Sequence, residues 1–332
     1  MRLIRRILVA VKEPASRATP AAVNKGVQLA RALGARLELF NALTAPIYAE
    51  TFIYGERSFS DITRDMQQQA LTRLERLAAR LKGHGRQRRL QISVAAEWDC
   101  PAYEAIIRRA HATKADLIVA ERHAGRHIVP ALLHLNDWEL LRLSPVPVLL
   151  VKSSGVYDRP VVLAAVDPSH RLAKPARLDH EILAMGAAIT AALGGRLHAV
   201  HAYVPVPSGR RPTDALDPDT AARINAKMAA GAQDRFERAL AGVRIPRSRR
   251  LLIGLPPIEA IGMAAIGIRS DIVVMGAVSR SGLRRWILGN TAEGVLDHLS
   301  CDLLIVKPPR FKSGIARRPS GPRLVPAMPL VP

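Results

Sequence analysis

The chain has 332 residues, enough for about two domains of ordinary size, and 48% of them are hydrophobic although only 4% are aromatic. The net charge of +21 would suit a nucleic-acid partner, but the basic excess is shared almost equally between the two halves of the chain. No recognition motif accompanies it, so we expect no specific nucleic-acid binding. No apolar run approaches the roughly 18 residues that a membrane span needs, so we expect no membrane partner either.

The N-terminus and the cysteines predict the compartment. Residues 1–14 are basic and then apolar, but the apolar run at 7–11 is shorter than the about 7–15 residues of a signal peptide. Cys100 and Cys301 lie far apart in the chain and suggest no disulfide framework. The sequence therefore predicts a cytoplasmic protein.

Strands and helices alternate along the whole chain. Short apolar runs rich in β-branched residues predict strands, and longer amphipathic runs predict helices. In the first half we predict strand 7–11, helix 20–33, strand 37–42, helix 60–81, strand 90–95, helix 102–112, strand 117–120, helix 137–143 and strand 148–151. In the second half we predict strand 161–166, helix 178–193, strand 196–202, helix 220–241, strand 249–253, helix 257–267, strand 272–275, helix 291–299 and strand 303–306.

Three of these strands recur 155 residues later in the chain. The run at 7–11 returns at 162–166, ADLIVA at 115–120 returns as SDIVVM at 270–275, and PVLLVK at 147–152 returns as DLLIVK at 302–307. A common offset indicates a duplicated unit. We predict an α/β protein with two tandem doubly wound parallel-sheet domains at 1–153 and 159–309, followed by a basic tail at 310–332, rich in proline and glycine and expected to be disordered.

The segment after the predicted strand 272–275 has the features of an anion site. Gly276 ends the strand, a loop carries Ser279, and Gly289, Asn290 and Thr291 precede the predicted helix. A strand, a loop of small residues and a helix start bring backbone N–H groups and the positive helix end together. This order predicts an anionic ligand.

The stretches GNTAEGVLDHLSCDLLIVKP, PAYEAIIRRA and NDWELLRLSPVPVLLVK resemble the universal stress protein family, in particular its tandem E-type members. The resemblance implies an adenine nucleotide alpha hydrolase-like fold, a cytoplasmic role in stress, and association as a homodimer or as an internal pseudo-dimer of the two domains. Family members that bind ATP carry Gly-x2-Gly-x9-Gly-(Ser/Thr) after the fourth strand and an aspartate at the end of the first strand.

The second domain matches most of this pattern. Gly276 and Gly289 match the first and third glycines of the pattern, whereas Ser279 replaces the second glycine. Asn290 replaces the usual Ser/Thr and is followed by Thr291. Asp167 matches the aspartate at the end of the first strand. The resemblance implies ATP, and Mg²⁺ with it, as the cofactor, bound without dedicated catalytic residues, so that any hydrolysis is slow. The implied binding residues are Ala165, Asp167 and Ala202 for adenine and ribose, and Met275, Gly276, Ser279, Gly289, Asn290 and Thr291 for the phosphates.

The first domain departs from the pattern. At the same offset, Glu121 replaces Gly276, His134 replaces Gly289 and Lys12 replaces Asp167. A carboxylate at the first glycine would repel phosphate. We therefore predict that the first domain does not bind ATP in the family manner.

The residues leave other hypotheses open. Asp167 begins an Asp-Pro-Ser turn and could serve only the turn. The protein could be a ligand-free scaffold whose paired domains bind another ligand or a partner. It could also be an enzyme of similar architecture, although residues 167–172 carry no transferase motif and no Ser-His-Asp set can be assigned from spacing alone.

Overall fold

The chain forms two compact units in a computed structural model. The first unit is Leu3–Val156 together with the C-terminal segment that begins at Lys312, and the second unit is Tyr157–Phe311. The structure describes residues 4–12, 18–45, 47–48, 58–82, 90–122, 130–170, 177–207, 216–277, 294–295, 299–309, 311–322 and 324–325.

The first unit contains a five-stranded parallel sheet in the order β4-β2-β1-β5-β6. Its strands are β1 Arg6–Ala10, β2 Arg36–Leu43, the short β3 Ile47–Tyr48, β4 Ile92–Trp98, β5 Leu117–Glu121 and β6 Val148–Val151. Its helices are α1 Ala21–Leu33, α2 Phe59–Lys82, α3 Ala102–Ala112 and α4 Pro130–Leu143.

The second unit repeats this arrangement, with strands in the order β9-β8-β7-β10-β11, all parallel. Its strands are β7 Val161–Ala165, β8 Arg196–Ala202, β9 Arg250–Ile253, β10 Ile272–Gly276 and β11 Asp302–Val306. Its helices are α5 Leu178–Leu193, α6 Pro218–Leu240 and α7 Pro257–Gly267. When the strands of each sheet are counted in chain order, leaving out the short β3, both sheets have the order third, second, first, fourth, fifth. This order confirms the predicted doubly wound α/β fold.

The inner strands are apolar along nearly their whole length because helices cover both faces of a parallel sheet. Leu8, Val9, Val273 and Val274 are fully buried. Equivalent glycines let the first helix of each unit lie close to its sheet. A Cβ at Gly26 would lie 2.5 Å from Val9 Cγ2, and one at Gly186 would lie 2.9 Å from Leu197 Cδ1.

The repeated aspartates at the start of the fourth strands have a structural role. The Asp116 carboxylate accepts hydrogen bonds from the backbone N–H groups of Arg5 and Arg6, at 2.9 and 3.1 Å. Asp271 accepts the N–H of Val161 in the same way, at 2.8 Å. Each aspartate ties the start of the fourth strand to the start of the first, which explains why it recurs at the 155-residue offset.

The C-terminal segment differs from the disorder that its composition predicts. Arg108 donates to the carbonyl of Ala316 at 3.0 Å, and the N–H of Ser320 donates to Asp99 Oδ1 at 2.9 Å. Strand β12, Leu324–Val325, pairs in parallel with β3. The prediction of disorder considered only how few apolar side chains the segment can bury. The described part of the segment is instead attached to the first unit through hydrogen bonds of its backbone groups.

Two further features bear on the predictions. Helix α4 begins at Pro130, seven residues before its predicted start, because proline is tolerated in the first turn of a helix. Of the predicted helix 291–299, only residues 294–295 and 299 lie within the described part. Among the described residues, no helix has the length and apolar character needed to cross a bilayer.

Candidate functional site

The candidate site lies in the second unit, where the strand order reverses between β7 and β10. Ligands of open α/β sheets bind at this point, outside the carboxyl ends of the strands. The structure brings five of the predicted site residues to this edge, at the ends of β7, β8 and β10: Ala165, Asp167, Ala202, Met275 and Gly276. The other four, Ser279, Gly289, Asn290 and Thr291, lie outside the described residues.

Gly276 is in contact with the start of helix α5. A Cβ at this position would lie 2.6 Å from Leu178 Cδ2 and 3.0 Å from Leu178 Cγ, and Leu178 is only 3% exposed. The missing side chain therefore makes room for Leu178. Packing is enough to explain the glycine, so its presence is not in itself evidence for a phosphate.

Asp167 lies two residues after the end of β7, at the carboxyl edge of the sheet, and is partly exposed. Its backbone N–H donates to Asp179 Oδ1 at 3.0 Å, and Asp179 lies in the first turn of α5. This bond holds the loop after β7 against the start of the helix. The two carboxylates are acceptors of the kind that sugar hydroxyls require.

A hydrogen-bonded cluster next to Asp167 was not predicted from the sequence. His201, on β8, is 1% exposed, and its Nδ1 lies 3.2 Å from the carbonyl oxygen of Val166. Its Nε2 lies 2.9 Å from Ser169 Oγ, and Arg235 Nε donates to the same hydroxyl oxygen at 3.3 Å. The loop after β7 and the strand β8 are thus joined through one imidazole.

The surroundings of His201 fix its protonation state. A carbonyl can only accept, so Nδ1 carries the hydrogen, and Nε2 is left to accept the Ser169 hydroxyl. Burial lowers the pKa of His201; the nearby Arg235 acts in the same direction, while Asp167, Asp179 and the bond to Val166 oppose it. The imidazole is therefore neutral near pH 7, and its basic nitrogen Nε2 accepts the hydrogen bond from Ser169.

The equivalent crevice of the first unit carries different chemistry on the same framework. Lys12 stands where the second unit has Asp167, and its Nζ donates to the carbonyl of Glu121 at 2.7 Å, from the end of β1 to the end of β5. Desolvation of the ammonium group lowers the pKa of Lys12, although the residue is exposed, and this effect outweighs the charges of Asp137 and Glu121, which raise the pKa. The first unit thus has an ammonium group bonded to a backbone carbonyl at the position where the second unit has a carboxylate.

Asn41 occupies the position of His201 in the first unit. Its Nδ2 donates to the carbonyl of Val11 at 2.7 Å, as His201 Nδ1 does to Val166. Both side chains hold the end of the first strand to the second strand. The asparagine keeps the structural bond but has no basic nitrogen.

The comparisons with known proteins identify the family. The model of the universal stress protein family matches residues 3–152 and again residues 162–307. The chain belongs to the universal stress protein family. The double match confirms the predicted tandem arrangement, and the protein is thus a tandem member of a stress-response family. Universal stress protein E of Photorhabdus laumondii is 26% identical over 324 residues, which cover 93% of this chain and 96% of the relative.

Solved structures agree on the fold. A functionally unknown protein from Pseudomonas aeruginosa PAO1 superposes with a TM-score of 0.66 at 23% identity, over 92% of this chain and 93% of its own. A universal stress protein solved in complex with cAMP is 22% identical over 46% of this chain and 98% of its own, with a TM-score of 0.28.

A separate metal centre has no basis in the described part of the chain. Within it, no group of three or more His, Cys, Asp or Glu side chains could hold a metal ion.

Proposed function

We propose that the second unit binds ATP or a related adenine nucleotide in the crevice between β7 and β10, and that the protein is a cytoplasmic regulatory module of the stress response. The observation that carries this proposal is the contrast between the two crevices. One presents the carboxylate of Asp167, whereas the other is bridged by the bond from Lys12 to Glu121. Two copies of one fold thus differ at the point where ligands of this fold bind.

Each part of a nucleotide has suitable residues in this crevice. The Asp167 carboxylate would accept hydrogen bonds from the ribose hydroxyls. Ala165 and Ala202, at the ends of neighbouring strands, are small and leave room for a flat base. The backbone after Met275 would face the phosphates, whose charge would hold Mg²⁺.

A second function has one specific observation in its favour. Leu178 already fills the space beside Gly276, where the family pattern expects the backbone to approach phosphate. A protein that uses its two units only as a scaffold for another ligand or a partner would show the same packing. The two functions make different predictions for ATP binding.

Isothermal titration with ATP and MgCl₂ separates them. We expect one nucleotide per chain, and Asp167→Ala should weaken binding about ten- to a hundredfold. Loss of a hydrogen bond to a charged group costs about 1.5–3 kcal/mol, and about 1.4 kcal/mol is a factor of ten. Gly289→Arg should abolish binding on the family pattern. Lys12→Ala, the matched change in the first unit, should leave the affinity unchanged.

Two results would contradict the proposal. The folded protein could give no heat at millimolar ATP and carry no nucleotide by mass spectrometry after purification and denaturation. Alternatively, Lys12→Ala could weaken binding as much as Asp167→Ala. The first result would favour the scaffold function, and the second would place the nucleotide in the first unit.

A further inference from the structure

The contact between Ser169 and His201 has the arrangement of a nucleophile and its base. Ser169 Oγ lies 2.9 Å from His201 Nε2, within the range for proton transfer between a hydroxyl and an imidazole. We propose that Ser169 is an activated nucleophile, with His201 as its general base, that accepts the acyl group of a small carboxylic ester. This goes beyond nucleotide binding and does not depend on it.

The base is held in the productive tautomer. Because Nδ1–H donates to the Val166 carbonyl, the ring cannot rotate without losing a buried hydrogen bond, and the lone pair of Nε2 stays directed at Ser169. The tilted ring of Phe236, with its centroid 5.8 Å from that of His201, packs against the imidazole. A backbone carbonyl thus plays the part that a carboxylate plays in a Ser-His-Asp triad.

The charges around the pair favour the reaction. Arg235 Nε donates to Ser169 Oγ, so a positive charge faces the oxygen that becomes negative as it loses its proton. The carboxylates of Asp167 and Asp179 face His201 and stabilise the imidazolium that forms when it takes this proton. Arg235 is placed to stabilise negative charge on the attacking oxygen of Ser169, and the two aspartates are placed to stabilise the imidazolium.

The position of the pair suits an external ester. Ser169 is half-exposed in the short 3-10 turn Pro168–His170, whereas His201 is buried beneath it. An electrophile can therefore approach Oγ from the solvent side while the base acts from the protein side. The turn follows β7 at the carboxyl edge of the sheet, where this fold places its ligands.

The proposed step balances as follows. Ser169 Oγ forms a bond to the carbonyl carbon, and its proton passes to His201 Nε2. The tetrahedral adduct then collapses, the bond from carbon to the alcohol oxygen breaks, and the alcohol leaves with the proton from His201. An acyl-serine and a neutral imidazole remain. With a fluorophosphonate, Ser169 Oγ bonds to phosphorus while its proton passes to His201 Nε2, and fluoride leaves. The imidazolium then releases this proton to solvent, and the serine carries a phosphonyl group.

A fluorophosphonate probe tests the pair directly. The full-length protein is incubated with the probe without nucleotide, and tandem mass spectrometry locates and times the added mass. We expect labelling at Ser169 and none in Ser169→Ala. Ser270→Ala is the matched control, because the Ser270 hydroxyl donates to backbone carbonyls, at 3.0 Å for that of Ile272, and has no imidazole partner.

His201→Asn is the decisive variant. The first unit shows that asparagine at this position keeps the structural bond, since Asn41 Nδ2 donates to Val11. The variant should therefore fold, as circular dichroism can verify, but label about a hundredfold more slowly, because general bases contribute about 10²–10⁴ in rate. A decrease of less than tenfold would overturn the proposal, as would the absence of label at Ser169 in the wild type.

The pH dependence of labelling gives a second readout that needs no variant. The rate constant should be flat above pH 6.5 and fall below it as His201 takes up a proton, under the joint influence of Asp167, Asp179 and Arg235. A rate that rises steadily with pH, as for an unassisted hydroxyl, would overturn the proposal. If Ser169 is labelled in a protein that has no affinity for ATP, the proposal of nucleotide binding fails and the proposal of an activated serine stands.

Discussion

Replacing Gly276 by alanine tests what the glycine at the end of β10 does. The new Cβ would lie 2.6 Å from Leu178 Cδ2 and 3.0 Å from Cγ, whereas ordinary contacts begin at 3.4 Å. Rotating the terminal methyl does not clear the clash, because the branch carbon itself is too close. Overpacking of this kind costs about 1–3 kcal/mol, so we expect Gly276→Ala to lower the free energy of unfolding of the second unit by that amount.

The partner substitution separates the clash from other effects. Leu178→Ala should cost about 2–5 kcal/mol on its own, as buried leucines do. In the double variant the clash is gone and the new Cβ fills part of the cavity, so the two costs should fall short of their sum by about 1–3 kcal/mol. Urea unfolding of the wild type, both single variants and the double variant measures this coupling. Costs that add within about 0.5 kcal/mol would refute the packing explanation.

The same four proteins bear on the nucleotide. If Gly276 serves only to make room for Leu178, then ATP affinity lost in Gly276→Ala should return in the double variant, where the backbone can relax to its native position. If phosphate itself needs the bare backbone, affinity should stay low in both. Titrations at a temperature where all four proteins are folded decide between these outcomes.

Two further predictions concern the ion pair and the imidazole. Arg108 binds the buried Asp99 carboxylate through two hydrogen bonds of 2.7 Å, so Arg108→Met should lower the free energy of unfolding, measured in urea, by about 3 kcal/mol. The pair of Arg238 and Asp234 is 65% and 73% exposed, so Arg238→Met should cost less than about 1 kcal/mol. Equal costs for the two variants would contradict this prediction. Because burial lowers the pKa of His201, the unfolded chain takes up protons more readily, and stability should be lost as the pH falls below 6.5. In His201→Asn the stability should fall less steeply as the pH falls, and His198 is present in both proteins, so its contribution cancels. If stability depends on pH equally in the variant and the wild type, His201 is not the cause.

The regular elements were largely predictable from the sequence. The helices 102–112, 178–193 and 257–267 and the strand 148–151 have the predicted bounds, because prolines, glycines and short apolar runs are strong local signals. The fixed offset between the halves added a non-local constraint and supported the assignment of both sheets. The start of α4 and the attachment of the C-terminal segment were not predicted. The latter depends on backbone groups that carry no side-chain signature.

The candidate site was predictable only in part. Asp167 and Gly276 could be brought to one edge because both follow strands of a parallel sheet. The contact between Ser169 and His201 could not, because it depends on the register of β7 against β8. A histidine within a strand of small apolar residues was the available signal, since a buried imidazole needs hydrogen-bond partners. Leu178 was unpredictable at this site because an apolar residue at a helix start gives no sign of what it touches.

The two units show how a duplicated fold changes its chemistry without changing its framework. Asn41 and His201 make the same bond to the end of the first strand, and Asp116 and Asp271 make the same bond to its start. These bonds hold the sheet and are kept in both copies. Lys12 in one copy and Asp167 in the other follow the first strand at the edge where ligands of this fold bind, and they differ in the sign of their charge. A ligand that depends on the crevice therefore discriminates between the copies, whereas a partner that recognises only the sheet and its helices would not.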